Sequence, residues 1–222
     1  MINKSVQATS VIPQHWVLDA NVLFSDWARW LCVGLAARHQ SQLYWTPQIE
    51  EEVFRNLQNT GRISAADVQM QRLVLPGAMG AQVLTEPFEA YLHDVQPVDP
   101  KDRHVAAAAL GLRHRQGQSV AIVTWNVRDF ARQKLTPNGV AVLTPEQVVL
   151  GLSAAQNPTT TRTLLGVFEQ ALNDLEAFYK QHPLAGVSLA KNRARPRPRT
   201  DLEWKDFLIR NRMNRVCKLC FN

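Results

Sequence analysis

Trp16-Val17-Leu18-Asp19-Ala20-Asn21-Val22-Leu23 puts a carboxylate at the point where a short apolar run ends. The run His15–Leu18 has the length and composition of a strand. Ligands of open α/β sheets collect at the carboxyl ends of strands, so Asp19 stands where chemistry is expected. Taken alone, an acid there only turns the chain or caps the next helix. Working outward, β-rich runs recur at Leu43–Trp45 and Ser119–Thr124, with weaker ones at Gln82–Leu84 and Val140–Leu143. Helical patterns lie between them, over Ser25–Arg38, Pro47–Leu57, Ser64–Leu75 and Pro100–His114. That alternation predicts an α/β fold, a parallel sheet with helical crossovers. Ser25 and Ser64 are expected helix caps, and Pro47 suits a first turn.

The chain has 222 residues, 45% of them hydrophobic, enough for a sizeable core. No uninterrupted apolar run reaches the length of about 18 residues that a membrane span needs, and Met1 to Gln14 lacks the layout of a secretory signal. A cytoplasmic protein is expected. Cys32, Cys217 and Cys220 are too few for a disulfide framework, which agrees with a reducing compartment. Cys217-Lys-Leu-Cys220 looks like half of a zinc site, but with no second pair it reads as two incidental thiols at a frayed end.

The net charge of +6 is divided unevenly. Residues 180–222 hold 11 Lys and Arg against 3 acids, whereas residues 1–179 hold 14 basic and 16 acidic side chains. A basic tail on a near-neutral body suggests a polyanionic partner or, more plainly, a solvated surface. The body closes near Pro145–Leu152. A long amphipathic helix follows Asn157-Pro158-Thr159-Thr160, with Leu164, Leu165, Phe168, Leu172, Leu175 and Phe178 on its packing face. Lys191 and Arg193, Arg195, Arg197 and Arg199 then alternate with small residues and prolines, predicting an extended linker. Thr200 or Asp201 is expected to cap a last short helix carrying Trp204, Phe207 and Leu208. Trp16, Trp27, Trp30 and Trp45 fall on core-like spacing.

Two further segments carry acids. Val98-Asp99-Pro100-Lys101-Asp102-Arg103-His104-Val105-Ala106 sets two carboxylates three apart at a helix start, with Asp99 the expected cap and alanines that let the helix approach the sheet. Ile122-Val123-Thr124-Trp125-Asn126-Val127-Arg128-Asp129 again places polar groups past an apolar strand. Two strand ends and one helix start thus offer Asp19, Asp102 and Asp129 to one point. Crowded carboxylates repel, and a divalent cation is the usual relief.

These three segments resemble the motifs of the PIN domain, in its VapC-like toxin branch and near the PIN_3 subgroup, over roughly residues 15–150. The resemblance implies a three-layer α/β/α nuclease domain over residues 1–153, with a helical and basic extension over 154–222. It implies Asp19, Glu52, Asp102 and Asp129 as catalytic acids and metal ligands, supported by Asn21, Asp99, Thr124 and Asn126. Glu52 is chosen from Glu50-Glu51-Glu52 because the family places its Glu six residues after the Ser or Thr that ends the strand, here Thr46. Successive helix positions differ by about 100°, so only one of the three points squarely inward; Glu50 and Glu51 read as solvated charges.

The activity so implied is metal-dependent endoribonuclease, a hydrolase leaving 5′-phosphate and 3′-hydroxyl ends, as the toxin of a toxin–antitoxin pair. Oxygen ligands favour Mg2+ or Mn2+, with one site and a second as an option because Asn126 stands where many relatives have an acid. Such a cation polarises the scissile phosphate and activates a water that Asp129 or Glu52 orients. RNA, a cognate antitoxin and a second copy of the chain are the expected partners, with Arg193, Arg195, Arg197 and Arg199 on RNA. Trp125 is a candidate to stack a base, while His104 and His114 read as surface or packing residues. Two rivals stay open. One is a degenerate PIN module that binds RNA or protein without cutting. The other, a haloacid-dehalogenase-like phosphohydrolase, wants an Asp where Asn21 stands.

Overall fold

Five short runs of β-branched and apolar residues form one sheet: β1 (His15–Leu18), β2 (Gln42–Trp45), β3 (Ala81–Val83), β4 (Val120–Val123) and β5 (Val140–Leu143). Every pairing is parallel and the order is β3-β2-β1-β4-β5, so the chain is α/β with helices flanking a parallel sheet. The computed structural model describes residues 12–155, 161–182 and 197–221. β4 is buried at all four positions, as a strand covered on both faces must be, and that explains its unbroken Val-Ala-Ile-Val run. The strand order reverses direction between β1 and β4, whose register pairs Leu18 with Val123. A crevice at the carboxyl ends of strands forms at such a reversal. Asp19 and Thr124, the next residue on each strand, therefore sit side by side at it.

The helices are α1 (Ala20–Leu23), α2 (Asp26–His39), α3 (Pro47–Asn59), α4 (Ala65–Met79), α5 (Arg103–Gln116), α6 (Arg132–Leu135), α7 (Pro145–Ala155), α8 (Thr161–Gln181), α9 (Asp201–Arg210) and α10 (Asn214–Phe221). Thr46 caps α3 with Pro47 in the first turn, and Ser64 forms a reciprocal capping box with Asp67 on α4. Ser25 holds the cap position of α2 without making the side-chain bond. α4 runs past Leu75 through Pro76 to Met79, where Gly80 at φ 59° closes it. A proline this near the end disturbs only the last turn, which is why the expected stop at Leu75 came too early.

α5 begins later than its sequence pattern suggested. Residues 100–102 form a turn in which the Asp102 N–H donates to the Asp99 carbonyl at 2.8 Å, and the helix starts at Arg103. Asp99 therefore does not cap α5; its Oδ1 accepts from the Lys101 N–H at 3.2 Å. Asp102 holds the cap position but makes no capping bond, which leaves its carboxylate free for other partners. Gly111 lets α5 lie against Phe88, since a Cβ there would come within 2.4 Å of that ring.

α8 packs along α2 through aromatic pairs, Phe168 on Trp27 (6.0 Å) and Phe178 on Trp30 (5.3 Å). Phe207 of α9 meets Trp27 from another side at 5.4 Å. Leu164, Phe168, Phe178, Trp204 and Leu208 belong to the same buried cluster as the strands, with Leu165, Leu172 and Leu175 partly buried against it. Thr200 caps α9 in a second capping box, with Glu203. The expectation of a frayed carboxyl end is corrected by α10. Val216 and Cys217 are buried, and Glu146 of α7 accepts from the Arg215 and Val216 N–H groups at 2.5 and 3.2 Å. A carboxylate at a helix amino terminus offsets its partial positive charge. Of the linker, Lys191, Arg193 and Arg195 lie outside the described residues. Arg197 is bound to α8, its guanidinium donating to Glu176 at 2.9 Å and to Asn173 at 2.7 Å.

Candidate active site

Asp19 is buried at the reversal point, and three donors converge on it. The Ala20 N–H donates to Oδ1 at 2.7 Å; the Asn21 amide and the Thr124 hydroxyl donate to Oδ2, both at 2.6 Å. The bond to Ala20 is the ordinary capping role for such an acid, so Asp19 performs that role and presents a carboxylate as well. Thr124 is fully used, since its Oγ1 also accepts from the Asn21 amide at 3.0 Å and from the Asn126 N–H at 2.9 Å. Asn21 in turn accepts from the Trp125 N–H at 3.0 Å. Asn126 supports the site through its backbone, for its side chain is exposed. Burial pushes the Asp19 carboxyl up to about 6, against the pull of Thr124 and Ala20, and the charge of Glu52 adds to the rise.

Asp102 arrives from the turn before α5. It is only 8% exposed, and its buried Oδ2 has no hydrogen-bond partner. Burial first, then the negative charge of Asp19, raises its carboxyl to about 6 as well; Lys101 opposes this, and Asp129 and Asp99 add to it. Asp19 and Asp102 are thus two buried carboxylates close enough for one to disfavour ionisation of the other. Asp129 lies in a 3-10 turn, Val127–Asp129, tied to the Asp102 segment by the backbone bond from Asp99 N to Asp129 O at 3.0 Å. That bond is how Asp99 serves the site.

Among the three glutamates, Glu52 acts on Asp19 and lies 3.9 Å from His104 Nε2, whereas Glu51 is exposed and ion-paired with Arg72. Glu50 is not the solvated charge its position suggested. Its Oε1 is shielded from solvent without a hydrogen-bond partner, and burial raises its carboxyl despite Arg72. Arg72 of α4 reaches this part of α3, pairing with Glu51 and lying over the Phe54 ring, a contact no pattern within α3 reveals.

Two residues stand at the site that sequence did not place there, Lys101 without a role and His104 as a surface or packing residue. His104 is nearly buried; its Nε2 has no hydrogen-bond partner, and burial lowers its pKa so that the ring is held neutral, against the pull of Glu52. Lys101 projects its ammonium to 3.0 Å from Asp129 Oδ2 and 3.9 Å from Asp102 Oδ2. His114 does pack, stacked on Tyr91 at 5.4 Å. Trp125 is partly buried against the core.

Among the described residues, no three His, Cys, Asp or Glu side chains converge closely enough to form a ready metal cage. The donor set is a buried carboxylate pair with two acids at its margin. It suits a hard cation that takes oxygen ligands and completes its shell with water. The orphaned Asp102 Oδ2, beside a second carboxylate, is the atom such a cation would satisfy. Among the described residues no helix is long and apolar enough to cross a membrane. Searches against protein-family models, curated proteins and solved structures found no significant match.

Proposed function

We propose that the chain is a Mg2+- or Mn2+-dependent endoribonuclease of the PIN type. The observation that carries this reading is the Asp19–Asp102 pair, two acids raised to about 6 at a sheet reversal, one of them with a buried oxygen that accepts no hydrogen bond. With no family model matched, the PIN resemblance rests on the motif residues themselves. A bound divalent cation supplies polarisation of a phosphate oxygen and a lowered pKa for a coordinated water. The chain's own residues do the rest. Thr124, Asn21 and the Ala20 N–H hold Asp19 in one rotamer, so its carboxylate meets the cation without reorganising. Asp102 would offer its buried Oδ2 to the same cation, and Asp129 or Glu52 at the margins would orient a water beside it. Trp125 offers a ring to a base.

RNA as the substrate, a cognate antitoxin, a homodimer and a cytoplasmic location come from the resemblance alone. A module that binds RNA without cutting is the competing reading. The phosphohydrolase rival is disfavoured by Asn21, whose amide donates to Asp19 where that mechanism wants a second carboxylate. The deciding assay incubates purified chain with single-stranded RNA in Mn2+, with and without EDTA, beside Asp102→Asn. Cleavage that EDTA and the substitution both abolish is expected. RNA binding without cleavage in any divalent cation would sink the nuclease reading.

A further inference from the structure

Lys101 is the one cation seen to enter the acidic pocket among the described residues. Its backbone is fixed, the N–H donating to Asp99 Oδ1 at 3.2 Å within the turn that leads into α5. Its side chain is not: it is 62% exposed, and ion pairs with Asp129 and Asp102 hold its tip. The two carboxylates it spans are joined through the Asp99 backbone, N–H to Asp129 and carbonyl to Asp102, so the gap the ammonium fills is preset by the fold.

A side chain held only at its exposed tip, by a hydrogen-bonded ion pair with Asp129 and a longer pair with Asp102, yields to a stronger charge. An exposed ion pair is worth little, whereas a divalent ion brings twice the charge to the same oxygens and repels an ammonium a few ångströms away. We propose that Lys101 is a built-in competitor of the divalent cation: its ammonium occupies the Asp102–Asp129 gap, lowers the pocket's metal affinity and swings out when metal binds. Its exposure leaves it room to do so without disturbing the core. The inference rests on the metal-dependent reading but not on RNA cleavage. It gives the site a threshold, so that the pocket fills only when free divalent cation exceeds the level at which it outcompetes the tethered lysine.

Mn2+ titrated into the full chain, with free Mn2+ followed by its electron paramagnetic resonance signal, tests this. Lys101→Gln is expected to tighten Mn2+ binding roughly three- to tenfold. Lys101→Arg, which keeps the charge, should bind no more tightly than wild type, and Lys218→Gln on exposed α10 controls for net charge. Equal affinity in wild type and Lys101→Gln would overturn the proposal while leaving the metal site intact, as would equal tightening by Lys218→Gln. No Mn2+ binding by any variant would overturn both.

Discussion

The Thr124 hydroxyl donates to Asp19 Oδ2 at 2.6 Å across the point where the strand order reverses, joining residues 105 positions apart in sequence. Burial raises the Asp19 pKa most, and this bond is the largest of the influences that oppose it. Thr124→Val keeps the shape and removes the donor. It should cost about 1–3 kcal/mol in urea denaturation at neutral pH, because a buried carboxylate then loses one of its three donors. Thr124→Ser should recover most of the loss. A Val variant as stable as wild type would mean that the bond does not support Asp19.

Asp19 and Asp102 both hold protons up to about 6 in the folded chain, against an ordinary value of 3.8. Between those values the folded state binds more protons than the unfolded one, so stability falls as pH rises through the window and levels off above it. Thermal melts should therefore drop between about pH 4 and pH 6 in chelated buffer. Asp102→Asn should flatten that drop and gain on the order of 1–3 kcal/mol at neutral pH, since it deletes one charge of the pair. A variant that melts below wild type at neutral pH would contradict the repulsion.

Asp19→Asn should behave differently from Asp102→Asn. The three donors on Asp19 leave no position where an amide NH2 meets only acceptors, so the relief of charge is offset by a lost hydrogen bond. The expected melt at neutral pH is at or below wild type, with RNA cleavage lost in both variants. Asn21→Asp should be worse than either. It replaces a donor to Asp19 with a second carboxylate 2.6 Å away, and a marked fall in neutral-pH melting temperature checks it.

The parts legible in sequence were those that local pattern dictates. β1 and β4 are buried and apolar, so their ends were marked, and Asp19 and Thr124 at those ends were found. Glu52 was chosen on the spacing that the resemblance implies, and its charge does reach Asp19. What pattern missed depended on where a helix truly starts or on what another element covers. Lys101 and His104 carry no local signal for the site: their neighbours there, Asp129 and Glu52, come from other segments, and only a surface or packing role was legible for His104. Glu50 was misread because its carboxylate is shielded from solvent near Arg72 of α4, which no pattern within α3 reveals. α10 was missed because eight residues are a short run to read as a helix, and its capping by Glu146 comes from 69 residues away.

Glu52 and Glu51 differ by one helix position and should differ in kind. Glu52→Gln removes a charge felt by Asp19, so cleavage should fall by about tenfold or more with little change in stability. Glu51→Gln breaks only the exposed pair with Arg72, costing at most about 1 kcal/mol and leaving cleavage unchanged. Initial rates on one RNA substrate, measured beside thermal melts, separate them. The reverse order would shift the helix alignment by one residue.

The basic linker should engage RNA through only some of its arginines. Arg197 is held to α8 by hydrogen bonds to both Glu176 and Asn173, and a phosphate contact would give up both bonds in exchange for one. Arg199 is exposed, with its N–H on Glu203. Each phosphate contact contributes roughly −0.7 to the slope of log K against log salt for a single strand. Arg197→Ser alone should therefore leave that slope unchanged, while a combined Arg193→Ser, Arg195→Ser and Arg199→Ser variant should flatten it by about two units if all three engage. Cleavage position should be the same in every variant, because backbone contacts position a substrate without reading its bases. Fluorescence anisotropy with a labelled single strand at several salt concentrations, in Asp102→Asn to prevent cutting, measures the slope. An unchanged slope in the triple variant would assign the linker to a protein partner or to tethering α9, and a flattened slope from Arg197→Ser alone would show that its bonds to α8 give way to RNA.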